Sequence, residues 1–225
     1  MRHGRVTPYE SARTAARDAL RETVLKAAGE LLALEGPSAL TMRRIADDIG
    51  ASTTVLYNIF DGKSGIIDAM VIAGHEALRS RLEAIPASDA PFARLAASAR
   101  VYREVALDDP ARYQLMFGNL LPGYQPSRSA REAARLSFAA LAGIVQECID
   151  AGVLVKTADP EFVAEILTAA AHGAVSLELA GHFPDSTRSD ERFAVLSAAS
   201  VQPFLADGKT PRARRKAPAG KARKR

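Results

Sequence analysis

Tryptophan is missing from this 225-residue sequence, and cysteine occurs once, at Cys148. A lone cysteine leaves no intrachain disulfide and falls short of a multi-cysteine metal site, so a reducing, cytoplasmic setting is expected. Cys148 stands in the apolar-periodic stretch 141–149 and reads as a packed thiol rather than a reactive one. The histidines His3, His75, His172 and His182 are scattered. There is no paired metal-ligand spacing, no glycine-rich phosphate loop and no nucleophile elbow, so neither an enzyme nor a bound cofactor is expected. No run approaches the roughly eighteen consecutive apolar residues of a membrane span. The opening Met-Arg-His-Gly-Arg-Val-Thr-Pro has none of the apolar core of a leader peptide. A membrane partner is therefore not expected. Strand-type alternation is absent at any length, as are internal repeats.

What remains is a chain rich in alanine and leucine, residues that lose little on entering a helix. Glycine and proline divide it into nine helical stretches, an all-α chain: about 11–35, 41–49, 53–60, 63–84, 91–107, 110–118, 129–151, 160–180 and 190–205. In the first, Leu20, Val24, Ala27, Leu31 and Leu34 form one apolar stripe, and Gly36-Pro37 stops it. Asp109-Pro110 and Asp159-Pro160 are cap-plus-proline starts. Thr41 and Ser52 are expected N-caps, with Gly50 making the turn between the helices they open. The stretch 207–225 holds nine Lys/Arg against one Asp, and the first 21 residues hold five Arg against Glu10 and Asp18. Because the formal net charge is only +4, the middle of the chain is acidic. Basic ends fit a polyanion partner, or equally a solvated tail. The organisation expected is a disordered arm over 1–10, a helix-turn-helix domain over 11–62, a helical body over 63–206 and a disordered basic tail over 207–225.

Two short helices joined at Gly50 make a helix-turn-helix, in which the second helix presents its first side chains to the major groove. Ile45, Ala46, Ile49, Leu56 and Phe60 face inward, while Thr53, Thr54, Tyr57 and Asn58 face outward and suit phosphate oxygens and base edges. Arg43 and Arg44 stand one turn before Asp47 and Asp48, which can pair with them. The string from Leu40 to Lys63, with its Thr, Ile-Ala, Gly-x-Ser, Leu-Tyr, Phe, Lys skeleton, resembles the DNA-binding domain of the tetracycline-repressor (TetR) family. That resemblance covers roughly residues 17–75. It implies phosphate contacts from Thr41 and Lys63, a backbone or base contact from Arg43 or Arg44, and recognition-helix contacts from Ser52, Thr53, Thr54, Tyr57 and Asn58. Ile59 stands where the family usually has His or Tyr, which removes one backbone hydrogen bond.

In the body, Ala170–Gly181, with His172-Gly173 at its centre, and Pro110–Phe117 resemble the "Trp-His-Gly" group of TetR C-terminal domains, although no Trp is present. The resemblance implies a homodimer formed by the last two long helices, where Ala169, Ala170, Gly173 and Ala174 permit close approach. It also implies an effector cavity among the middle helices, with Tyr102, Met116, Phe117, Phe138 and His172 as candidate ligand residues. Such a cavity suits a small hydrophobic or aromatic molecule. On an apolar helix His172 reads first as a packed histidine with one satisfied nitrogen, and a pocket or pH-sensing role is the sharper alternative. The function implied is a repressor that binds a palindromic double-stranded operator as a dimer and releases it on binding an effector. The alternative is a non-specific nucleic-acid-binding or architectural protein driven by its basic ends.

Overall fold

A computed structural model describes residues 7–118, 121 and 123–206. Among these residues the fold is all-helical, with nine α-helices: α1 (Pro8–Glu35), α2 (Met42–Asp48), α3 (Thr53–Tyr57), α4 (Gly62–Glu83), α5 (Pro91–Asp108), α6 (Pro110–Phe117), α7 (Arg128–Asp150), α8 (Pro160–Leu179) and α9 (Ser189–Val201). The caps explain the boundaries. The side chains of Thr41, Ser52, Asp109 and Asp159 each accept a backbone N–H of the turn they open. Gly50 closes the turn between α2 and α3 at φ +66°, a conformation that strains any residue with a Cβ.

Three helix boundaries differ most from expectation. The first helix begins at Pro8 rather than near Ser11, because Thr7 and Glu10 form a reciprocal capping box ahead of it. Of the arm expected over 1–10, residues 1–6 lie outside the described residues, as does the whole tail 207–225. The third helix ends at Tyr57, and Asn58–Phe60 continue as a turn. The last helix ends at Val201, ahead of Pro203, and a 3-10 turn over Gln202–Phe204 follows. That turn carries Leu205 onto the chain after α7, with Val155 N–H donating to the Phe204 carbonyl (2.9 Å) and Ala206 N–H to that of Val153 (3.0 Å).

Two apolar cores result. The head core joins Val24, Ala28, Leu31 and Leu32 of α1 to Ile45 and Ala46 of α2, Leu56 and Phe60, and Ile66 to Val71 of α4. The body core gathers the remainder of α4 (Leu78, Leu82) with α5, α7, α8 and α9. The head core thus takes in α4 as far as Val71, with Ile72 half-buried against it, and Ala130 of α7. The short α6 also serves both: Leu115 is buried in the head core, and Tyr113, two residues earlier, is buried in the body core. At 22 residues, α4 is a rod of roughly 33 Å running from one core to the other.

By length and mean hydropathy α8 is apolar enough to cross a membrane, although Glu161, Glu165, His172 and Glu178 interrupt it and it holds no long unbroken apolar run. Its buried face packs on α5, α7 and α9. Phe162, Ile166 and Leu177 of α8 are exposed, as are Val195 and Leu196 of α9.

Candidate functional site

The head presents α3 on a rigid base. Leu56 (0 % exposed) and Phe60 (4 %) are sunk in the core, and the Arg21 guanidinium lies over the Phe60 ring, 4.7 Å from its centre. The opposite face of α3 is open: Ser52, Thr54, Tyr57 and Asn58 are exposed, and Thr53 is half-buried. The Tyr57 ring lies 3.8 Å from where a Cβ on Gly62 would stand, so it sits against the start of α4. No side chain caps that start, and half-buried Lys63 occupies its first turn, leaving free N–H groups beside an ammonium. Thr41 is exposed at the start of α2, its hydroxyl oxygen accepting from Arg44 N–H at 3.2 Å.

The two arginines differ. Arg44 bonds Glu35 at 2.8 Å and Asp48 at 3.3 Å, so its charge is already matched within the head. Arg43 is 90 % exposed and meets Asp47 only at 3.9 Å. A pair this open contributes little and leaves the guanidinium available. Ile59 is half-buried against the head core, so its side chain packs rather than facing a phosphate.

Behind the head, a cavity of about 840 Å³ is walled by α4, α5, α7, α8 and α9, with Phe117 of α6 at its inner end. That volume accommodates a drug-sized ligand, and most of the wall is apolar. Three of the five candidate ligand residues line it: Tyr102, Phe117 and Phe138. The other two do not. Met116 points away from the cavity onto Gly74 of α4, where its Sδ occupies the space a Cβ would fill, only 2.4 Å from that position. His172 lies behind the wall in a polar cluster: Tyr113 Oη is 2.7 Å and Tyr102 Oη 3.4 Å from its Nδ1, and Ser176 Oγ is 3.3 Å from its Nε2. This is the packed, satisfied histidine. Burial pushes the Tyr102 and Tyr113 phenols well above their usual pKa, so both stay protonated.

Two wall features did not emerge from the sequence. His75 is 4 % exposed, with its Nδ1 3.0 Å from Ser137 Oγ and its ring edge-on to Phe117. Burial lowers its pKa from 6.5 to about 4. The available signal was a polar residue on an apolar stripe: Val71, His75, Leu78 and Leu82 share one face of α4, and Ser137 and Ile144 share one of α7. Arg103, at the cavity edge, donates twice to Glu178 of α8 (2.9 and 2.7 Å) and once to Asp190 (2.8 Å), beside the Phe193 ring. Its charged form is favoured first by the Glu178 bonds. This clamp ties α5 to the α8–α9 pair, and no local pattern announces it.

Residues 24–70 match the family model described as "Bacterial regulatory proteins, tetR family", and residues 95–199 match the "Tetracyclin repressor-like, C-terminal domain". The chain belongs to the TetR family. Among curated relatives, the HTH-type transcriptional regulator Rv1816 of Mycobacterium tuberculosis is 25 % identical over 128 residues, 54 % of each chain. The chain spans about half the length of the curated relatives it matches. Among solved structures, a protein of unknown function from Rhodococcus sp. RHA1 has a TM-score of 0.72 at 28 % identity, covering 83 % of this chain and 95 % of that one. SmeT, the repressor of the Stenotrophomonas maltophilia multidrug efflux pump SmeDEF, shares the fold at TM-score 0.63 and 21 % identity, covering 84 % of this chain and 91 % of its own.

The gap between the two TetR matches runs from within α4 into the start of α5. The first ends at residue 70, one residue short of Val71, the last α4 residue in the head core. The second starts at Leu95 on the cavity wall and runs into α9, so it includes every cavity residue except those of α4 and the ends of α5 and α9. His75 falls between the two, in neither TetR match.

Proposed function

We propose that this TetR-family regulator is a cytoplasmic repressor that reads a palindromic operator as a homodimer and is released by an apolar effector held in the α4–α9 cavity. The observation that carries the reading is the sharing of α4 and α6 between the two cores: Phe117 stands on the cavity wall, and Leu115, on the same two-turn helix, is buried in the head core. A ligand that shifts the Phe117 backbone carries α6, and Leu115 with it. Movement of α6 is passed to α4 directly, because Met116 is keyed into Gly74. Close-packed contacts of this kind have few alternative arrangements, so the response is a shift between two body shapes rather than a gradual deformation.

On this reading Tyr57, Asn58, Ser52, Thr53 and Thr54 meet the major groove, and Thr41, Arg43 and Lys63 hold the phosphates. Arg44 holds α2 to α1 through Glu35 instead of reaching the DNA. Support for the dimer comes from the five large apolar residues exposed on α8 and α9, two helices that pack on each other. A fluorescent operator complex titrated with molecules that bind the body tests the proposal. Release at concentrations near their binding constants is expected. A series of molecules that saturate the cavity and leave operator affinity unchanged contradicts it.

A further inference from the structure

The hydrogen bonds around His75 favour one of its two tautomers. The Ser137 hydroxyl has one hydrogen, and it donates to the Ala134 carbonyl (2.9 Å). In that arrangement Ser137 Oγ accepts from His75, so Nδ1 bears the hydrogen and Nε2 carries a bare lone pair. Among the described residues nothing hydrogen-bonds Nε2, although the ring forms part of the cavity wall. Several other polar groups on that wall are already engaged. Ser98 donates to the Leu95 carbonyl, Tyr102 belongs to the His172 cluster, and Arg103 is held by Glu178 and Asp190.

Resting on the effector cavity proposed above, we propose that the cavity selects an uncharged, largely apolar molecule bearing a hydroxyl group, which donates its proton to His75 Nε2. The chemistry separates ligand classes. An alcohol or phenol satisfies the lone pair in a dry site. An ether or ketone of the same shape brings a second acceptor to it and leaves both unpaired. A carboxylate brings like polarity to Nε2 and a desolvation cost. Because burial holds the imidazole neutral down to about pH 4, the acceptor persists at any ordinary pH.

The test uses the full-length chain and matched pairs: para-cumylphenol, naphthol and farnesol, each beside its methyl ether, titrated by calorimetry. The ether keeps the apolar body and the oxygen but has no proton to give. The hydroxyl compound is expected to bind about tenfold more tightly, the upper range for one hydrogen bond. His75→Phe should bring the ratio to about one. Ser137→Ala, a smaller change, should lower it by releasing the tautomer. Ethers that bind as well as or better than their parent alcohols, or a ratio unmoved in both variants, overturn the donor requirement and leave the cavity reading standing. Failure of all six compounds to bind overturns the cavity reading and the proposal together.

Discussion

Lowering the pH should destabilise this protein by a definable amount through one side chain. His75 has a pKa of about 4 in the folded chain against 6.5 when solvated. The folded state thus resists a proton that the unfolded state accepts, and stability falls as pH drops below 6.5 and levels off below about 4. At 1.36 kcal/mol per pKa unit, the loss between about pH 7.5 and about pH 5 is about 2 kcal/mol. The His75→Phe variant keeps an aromatic ring against Phe117 and has nothing to titrate, so its stability should fall less over the same interval by that amount. Urea unfolding of both proteins at the two pH values and one fixed protein concentration measures the difference, and contributions from all other groups cancel. Parallel losses in the two proteins would mean that His75 charges as freely in the folded chain as in the unfolded one. The neutral acceptor in the cavity would then be refuted.

Adjacent residues on α3 should separate affinity from stability. Leu56→Ala opens a hole in the head core and should cost about 2–5 kcal/mol in urea unfolding. Tyr57→Ala, at a side chain 59 % exposed, should change stability by less than about 0.5 kcal/mol yet weaken operator binding in a gel-shift titration. Cys148, fully buried and with its thiol pushed up to about 11 by burial, should react with iodoacetamide only after denaturant is added. Val195→Lys, at a position 61 % exposed on α9, should yield a monomer of unchanged helicity by light scattering and circular dichroism.

The head could be read from the sequence because its rules are local. Thr41 and Ser52 cap helices that start one residue later, Gly50 takes the left-handed turn, and Leu56 and Phe60 lie four apart on one face. The body was read less completely because its site depends on side chains far apart in sequence. His75 and Ser137 are 62 residues apart, and Arg103 and Glu178 are 75 apart. Aromatic content alone pointed to Tyr102, Phe117 and Phe138, but it could not separate them from Met116, one residue from Phe117 and turned 100° around the helix. His172 illustrates the same limit. Its two hydroxyl-bearing neighbours on α5 and α6 satisfy a nitrogen that the sequence of α8 leaves open. The turn of chain at Gln202–Phe204 was hidden because an apolar run into Pro203 reads as a continuing helix, whereas the proline removes the N–H the next turn needs.

The central claim is that α3 chooses a sequence and that two heads do so together. Selection of bound duplexes from random DNA, at physiological salt, tests it directly. The account predicts enrichment of an inverted repeat whose half-sites are a helical turn or more apart, with recovery lost in Tyr57→Ala. Recovery of duplexes with no shared sequence, bound with an affinity that depends on salt alone, would contradict it and leave the basic ends of the chain as the source of binding.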